Sequence, residues 1–316
     1  MKKVALGRTG IEICPLVFGT LPLGPLQAGL SPAEGGRLIR HALDLGVNLL
    51  DTAELYETYS HVREAIKGYG GEVHLATKTH AADAVLAREH VEKALRALGV
   101  ERLDIVHLHG ARIADPFVER KAVFEELLCL REEGKIVHLG LSSHYISAIR
   151  RAARHPEIAV VHPLINRAGM GILDGSAEEM AEAIDEAARA GKGVYAMKAL
   201  AGGNFIADAL ESLRYVRALP GVTGVAVGML GEEEIEANLA LFAGEVPDPQ
   251  LWKGLQRKRR RLRIMERFCK GCGKCVTACA SDALAVENGR VQVDEEECIL
   301  CGYCAASCPE FIIRVV

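Results

Sequence analysis

The sequence is short of several things, and each shortage narrows what the chain can be. No stretch of its 316 residues reaches 18 uninterrupted apolar residues, which argues against a transmembrane helix. The start, MKKVALGRTGIEI, has two lysines but no apolar run of 7–15 residues, so no secretory signal peptide is expected. A strong excess of one charge is also missing. With 38 Lys and Arg against 42 Asp and Glu, the net charge of −4 gives no global pull toward nucleic acid or a membrane surface. Cysteine is almost absent from the first 268 residues, where only Cys14 and Cys129 occur. Both lie in apolar surroundings and are expected as buried core thiols. These absences predict a cytoplasmic protein, where thiols stay reduced and clustered cysteines serve metals more often than disulfides.

What is present is concentrated at the C-terminus. Eight of the ten cysteines fall in two runs, Cys269, Cys272, Cys275 and Cys279, then Cys298, Cys301, Cys304 and Cys308 followed by Pro309. Each cysteine of the first run recurs 29 residues later in the second, and DALAV (282–286) aligns with FIIRV (311–315). This is an internal duplication. Three thiolates separated by two-residue gaps can wrap three corners of a cubane, while the displaced fourth cysteine serves the other cluster. The spacing therefore predicts one [4Fe–4S] cluster on Cys269, Cys272, Cys275 and Cys308, and a second on Cys298, Cys301, Cys304 and Cys279. Zinc ribbons use pairs of thiols rather than two runs of four. The segment resembles bacterial two-cluster ferredoxins along its length, with Ala280 where proline is usual after the fourth cysteine.

Between residues 16 and 230, short apolar runs alternate with helical patterns. The strand candidates are LVFGT, VNLLDTA, VHLATKT, LDIVHLH, VHLGLSS, VVHPLIN, GVYAMKA and GVAVGM, nearly continuous in apolar character as buried parallel strands should be. SPAEGGRLIRHALDLG opens with a capping box, Ser31 and Glu34, and DPFVERKAVFEELLCLREEG and SAEEMAEAIDEAARAG end in glycine. Eight β-then-α units predict an α/β fold, a (β/α)8 TIM barrel, over residues 1–250. A hairpin turning at Arg8-Thr9-Gly10 is expected to plug its bottom. Residues 251–267 are expected as a basic linker helix, and 268–316 as a small α+β ferredoxin-like domain with two clusters.

In such a barrel the chemistry belongs at the C-terminal strand ends. Those ends carry Asp51, Tyr56 just beyond it, Lys78 and His109. LGRTGIEICPLVFGT, NLLDTAELYETYSHVREAI, HLATKT, LDIVHLH, GLSS and GEEEIEANLA together resemble the aldo-keto reductases over residues 3 to 245, in its ferredoxin-fused branch. The resemblance implies a catalytic tetrad of Asp51, Tyr56, Lys78 and His109. Hydride addition to a carbonyl builds an alkoxide, which needs a proton donor at its oxygen. A free tyrosine, with a pKa near 10, is a poor one. A buried Lys78 beside Tyr56 is expected to lower that value, with Asp51 keeping the lysine charged and His109 orienting the carbonyl.

The resemblance also implies NADP(H) or NAD(H) lying extended across the barrel mouth, although no Rossmann fingerprint is present. Gly19, Thr20 and Asp51 would lie near the nicotinamide and its ribose, and Ser142 and Asn166 would hold the carboxamide. Leu200 to Gly202 would meet the pyrophosphate, and Gly228 and Asn238 the adenosine end. This sequence departs from the family pattern at His162, where glutamine is usual, and at Met197, where a tyrosine stacks on the nicotinamide. Between Gly228 and Asn238 it has no Lys or Arg to grip a 2′-phosphate and three consecutive glutamates, Glu232 to Glu234, instead. Weak NADPH binding, a preference for NADH, or no nicotinamide in the usual way are the alternatives.

Residues 253–267 carry eight Lys or Arg and one Glu, with Leu255, Leu262, Ile264 and Met265 marking one helix face. A solvated connector facing the clusters or an acidic redox partner is expected there rather than a nucleic-acid site. The expected function is that of an oxidoreductase. It would reduce a small-molecule carbonyl, or oxidise an alcohol, while exchanging electrons through two [4Fe–4S] clusters. The alternatives are an iron–sulfur electron-transfer protein whose barrel is a docking scaffold, and a nicotinamide-independent reductase fed by the clusters. An external redox partner is compatible with each; nucleic acid and membranes are not expected partners. With no flavin motif to split a hydride pair into single electrons, the tail is expected to dock at the C-terminal face of the barrel.

Overall fold

A computed structural model describes residues 1–111, 113–245, 248–256, 261–310 and 312–315. The hairpin strands β1 (Val4–Ala5) and β2 (Glu12–Ile13) precede eight barrel strands. These are β3 (Leu16–Gly19), β4 (Leu49–Asp51), β5 (His74–Thr79), β6 (Leu103–Gly110), β7 (Ile136–Ser143), β8 (Ile158–Pro163), β9 (Gly193–Ala196) and β10 (Gly224–Gly228). All eight pair in parallel and close on themselves, β10 against β3. Each overlaps one of the apolar runs read from the sequence, with β6, β7 and β8 extending one or two residues beyond theirs. Burial on both faces is why those runs lack alternation.

Each strand is followed by a helix, the first over Pro32–Asp44 and the last over Glu232–Ala243. Ser31 and Glu34 close the expected capping box, as do Ser176 and Glu179 ahead of the helix Ala177–Arg189. Gly191 ends that helix with φ of 87°, a left-handed turn that costs glycine little. The pattern DPFVERKAVFEELLCLREEG is broken into two helices, Pro116–Glu119 and Lys121–Glu132, by Arg120, whose φ of −123° and ψ of 30° leave the helical region. Cys129 is exposed and not in the core. Val123, Phe124, Leu127 and Leu130 take the inward face of its helix and leave position 129 on the solvent side. Cys14 is buried, as expected.

The bottom of the barrel is filled by the hairpin. Leu6, Ile11 and Ile13 pack with Val17, Leu49, Ala76, Ile105, Val160 and Tyr195 from the strand interiors. No helix among the described residues is long and apolar enough to cross a membrane.

The linker is not one helix over 251–267. Among the described residues the helix covers Pro249–Gln256, while Leu262–Ile264 is a strand, β11. It pairs antiparallel with the strand Ile313–Val315, with Leu262 opposite Val315 and Ile264 opposite Ile313. Its apolar residues serve that sheet, so the tail unit begins before Phe268. Arg257 to Arg260 lie outside the described residues. The hairpin β12 (Leu284–Glu287) and β13 (Arg290–Val293), followed by β14 (Ile313–Val315), completes the tail. The duplication is structural as well as sequential: Leu284 and Ile313 open corresponding strands, and Gly273 and Gly302 each precede a short helix.

The tail sits on the C-terminal mouth of the barrel. The Asn204 side-chain amide donates to the Cys298 carbonyl, and Gln27 Nε2 to the Leu300 carbonyl at 3.4 Å. Gly202, at φ 69°, lies so close to the Ile299 carbonyl that a Cβ there would overlap it. Ile299, Cys301 and Tyr303 are buried in one apolar cluster with Leu26, Leu164 and Met197 from the barrel.

Candidate active site and cluster cradles

The end of β4 places Asp51, and β5 places Lys78, at adjacent strands of the mouth. Lys78 Nζ donates to Asp51 Oδ2 at 2.5 Å and to the Thr52 carbonyl at 2.9 Å. Both side chains are almost fully buried. Burial pulls the lysine pKa down, and the Asp51 charge opposes that pull. An unpaired ammonium in this position would lose its proton, so the carboxylate is what keeps the cation. Asp51 Oδ1 also accepts from the Tyr195 hydroxyl at 2.9 Å. Tyr195 has a single hydroxyl proton, so His107 Nε2, 2.6 Å from the same oxygen, must be the donor there.

Tyr56 ends a 3-10 turn, Glu54–Tyr56, just past β4. Lys78 Nζ lies 4.8 Å from its ring centroid. The expected lowering of the tyrosine pKa does not hold in this state. Burial raises it first and the Asp51 charge second. The lysine's charge is already answered by Asp51, so little of it remains to favour a phenolate. His109, near the end of β6, has Nδ1 at 3.1 Å from Ser142 Oγ, on the neighbouring strand β7. A Ser142 hydroxyl donating to Nδ1 leaves the proton on Nε2, which faces the Tyr303 hydroxyl at 3.2 Å. Tyr303 in turn is buried in one cluster with Tyr56.

A cavity of about 350 Å³ runs from this point to the start of the helix Glu232–Ala243. Of the residues expected to hold a nicotinamide cofactor, Gly19, Asp51, Leu200, Gly202, Gly228 and Asn238 line it. Thr20, Ser142 and Asn166 do not. The Thr20 hydroxyl is taken by the Asp51 carbonyl and Thr58, and Ser142 by His109. Asn166 closes its own turn, accepting from the Ala168 and Met170 amides and donating to the Met170 carbonyl. His162 and Met197 are both at the cavity wall. His162 Nδ1 donates to the Tyr195 carbonyl at 2.6 Å, so its Nε2 carries the free lone pair. At the far end, only Glu234 of the three glutamates lines the cavity, while Glu232 reaches toward Arg37 outside. Asn238 Oδ1 is buried without a hydrogen-bond donor. An apolar-walled groove with a few polar groups near its ends fits a nicotinamide dinucleotide.

The eight tail cysteines fall into two groups. Cys269, Cys272, Cys275 and Cys308 line one small cavity with Gly271, Gly273 and Val291. Cys279, Cys298, Cys301 and Cys304 line a second with Leu284, Leu300 and Gly302. Burial and mutual repulsion push the Cys304 thiol well up and the Cys298 thiol to about 11. Crowded thiols of this kind ionise together only beside a compensating cation, which cluster iron would provide. Lys198 points the same way. Its amine is buried with no hydrogen-bond partner; burial pulls its pKa down first and the Lys78 charge adds to that pull, while Cys301, Cys298 and Cys279 oppose it. Its backbone sits in the left-handed region, φ 60°. Strain and an orphan cation are both costs, and the thiolates of a bound cluster offset the second.

A family model for the aldo/keto reductase family matches residues 15–211. The chain belongs to the aldo/keto reductase family. A 4Fe-4S dicluster domain model matches residues 256–312, which supports iron–sulfur clusters in the tail of this reductase. The chain is similar to "Probable aldo-keto reductase 1" of Glycine max, 29% identical over 204 residues, a match covering 55% of this chain and 58% of the relative. Among solved structures it is similar to a putative aldo-keto reductase from Pseudomonas aeruginosa, at 27% identity and a TM-score of 0.65, covering 77% of this chain and 95% of that one. It shares its fold with an aldo-keto reductase from Bacillus halodurans in its holo form, at 24% identity and a TM-score of 0.63, covering 81% and 96% of the two chains.

Three residues of the reductase's mouth escape sequence reasoning. Tyr195 reads as one more apolar position in GVYAMKA, yet its hydroxyl holds Asp51. Lys198 directly follows Met197 in GVYAMKA, and nothing in the sequence pattern marks its ammonium as buried. Tyr303 sits inside the second cysteine run, and nothing in cluster spacing tells which way that residue faces.

Proposed function

We propose that this aldo/keto reductase interconverts a carbonyl and its alcohol at Tyr56, with a nicotinamide in the groove and two clusters held in the tail. One observation carries the reading: Cys301, a wall of the second cysteine cradle, lines the same cavity as Asp51 and Tyr56. A bound nicotinamide would supply hydride, and two clusters would together restore or remove its two electrons singly, with one proton exchanged with solvent.

The chain's own residues do the rest. Tyr56 donates a proton to the developing alkoxide, and Lys78 stabilises the phenolate left behind. The phenolate's charge would draw on Lys78 at the moment of transfer, although the resting tyrosine is a weak acid. Asp51, fixed by Tyr195, keeps Lys78 protonated. His109 Nε2–H orients the carbonyl, with Ser142 setting the tautomer. At the far end Glu234 and Asn238 favour ribose hydroxyls over a 2′-phosphate, so NADH is the cofactor the groove fits. Among the residues described as lining the cavity, Lys198 is the one Lys or Arg, and it lies with the cysteines rather than at the adenosine end. The thiol-rich cradles suit a reducing, cytoplasmic setting.

The reading is tested by anaerobic purification followed by turnover of an aryl aldehyde with NADH. Iron and sulfide should each approach eight per chain, and Tyr56→Phe should lose at least about 10²-fold in reduction. Zinc in place of iron, or full activity in Tyr56→Phe, would overturn it.

A further inference from the structure

Tyr303 comes from the tail, between two cradle cysteines, yet its hydroxyl lies in the barrel site. It is 3.2 Å from His109 Nε2, and Tyr303 is buried in one cluster with Tyr56. Its ring meets the His109 ring edge-on, with centroids 6.1 Å apart at 87°. Lys198 Nζ lies 5.4 Å from the same ring, and the residue is buried. Tyr56 and His109 are the two groups a carbonyl oxygen must reach. An oxygen already sits in front of His109 Nε2, in one buried cluster with Tyr56, and it belongs to the tail. That position admits one oxygen at a time.

We propose that Tyr303 is a specificity-determining residue: it holds the oxygen position, and the substrate is an uncharged aryl carbonyl that takes its place. This rests on the roles given above to Tyr56 and His109. The phenol is the template. The carbonyl oxygen replaces the Tyr303 hydroxyl, and the substrate's apolar body takes over the surroundings of the ring. Those surroundings are apolar: Leu26, Leu164, Met197 and Ile299 are buried there, with Met170 and Ile172 at their edge. A carboxylate on the substrate would find Lys198 as a cation, but a cation already answered by the cradle thiolates. An extra anion next to a thiolate-rich wall is repelled, which selects against charged substrates.

Displacement has a kinetic signature. A substrate that must expel an internal competitor shows an apparent affinity reduced by the fraction of molecules already open. Tyr303→Phe keeps the ring and removes the competing oxygen, so KM for benzaldehyde should fall at least about threefold and kcat/KM should rise. In Tyr303→Ala, where the ring's space is opened, added phenol should inhibit benzaldehyde reduction competitively. The wild type should be far less sensitive to phenol. In the wild type, 4-carboxybenzaldehyde should be a poorer substrate than benzaldehyde. Unchanged or reduced kcat/KM in Tyr303→Phe, or a preference for the carboxylated aldehyde, would overturn the proposal. Turnover retained in Tyr56→Phe would instead show that the underlying site reading fails.

Discussion

Lys198 is a costly residue in the mouth of the barrel. It combines a buried, unpartnered ammonium with a left-handed backbone. A charge so placed is sustained only by opposite charge nearby, here the cysteines of the second cradle. A cation beside a cluster favours its reduced, more negative state. Lys198→Met should therefore shift the midpoint of the second cluster to more negative potential by at least a tenfold change in its reduction equilibrium, about 59 mV for one electron. Potentiometry followed by electron paramagnetic resonance reads this directly; an unmoved midpoint would mean that the cation serves something else. Asp51, Lys78 and His109 were legible because a polar residue closing an apolar strand stands out against its own period. The Tyr56 acidity was not, since it depends first on burial and then on the nearby Asp51 charge, neither of which a spacing encodes. Tyr303 was hidden by the very motif that contains it.

At the scale of elements, the barrel strands and caps were legible and the junctions were not. Eight apolar runs gave eight strands because burial on both faces leaves one composition. The basic linker looked helical from its apolar spacing, yet Leu262 and Ile264 alternate across β11 to meet Val315 and Ile313. A three-residue strand satisfies both periods. The docking of tail on barrel turns on Gly202, whose missing side chain admits the Ile299 carbonyl. Gly202→Ala should push the segment 298–304 away from the mouth, at a cost of a few kcal/mol from overlap and a left-handed alanine together. Faster hydrogen exchange at Ile299 and Leu300, with barrel strands unchanged, is the expected outcome; unaltered protection there would place the docking energy elsewhere. Of the three glutamates that open the helix Glu232–Ala243, Glu234 alone lines the groove. NADPH should accordingly bind no better than NADH at low salt, and a clear NADPH preference would require a cation outside the described lining.

The whole molecule carries an acid sensitivity in its barrel. His107, His109, His144 and His162 are buried and held neutral, each with its pKa well below the ordinary value through loss of solvation. The unfolded chain takes up these protons below about pH 6.5, and the folded one refuses them. Stability is then full above that pH and falls as the pH drops, by up to about 1.4 kcal/mol per pH unit for each histidine. Melting the anaerobic holoprotein between pH 8 and 5.5 should show this decline; a flat profile would mean that the histidines are solvated. The central claim is larger: the groove and the second cradle form one site, because Cys301 belongs to both. It is tested by reducing the clusters anaerobically, removing the reductant, adding NAD⁺ and following cluster colour and nicotinamide absorbance together. The account predicts one NADH formed for every two clusters reoxidised, with no added flavin. Clusters that stay reduced while NAD⁺ is bound would contradict it.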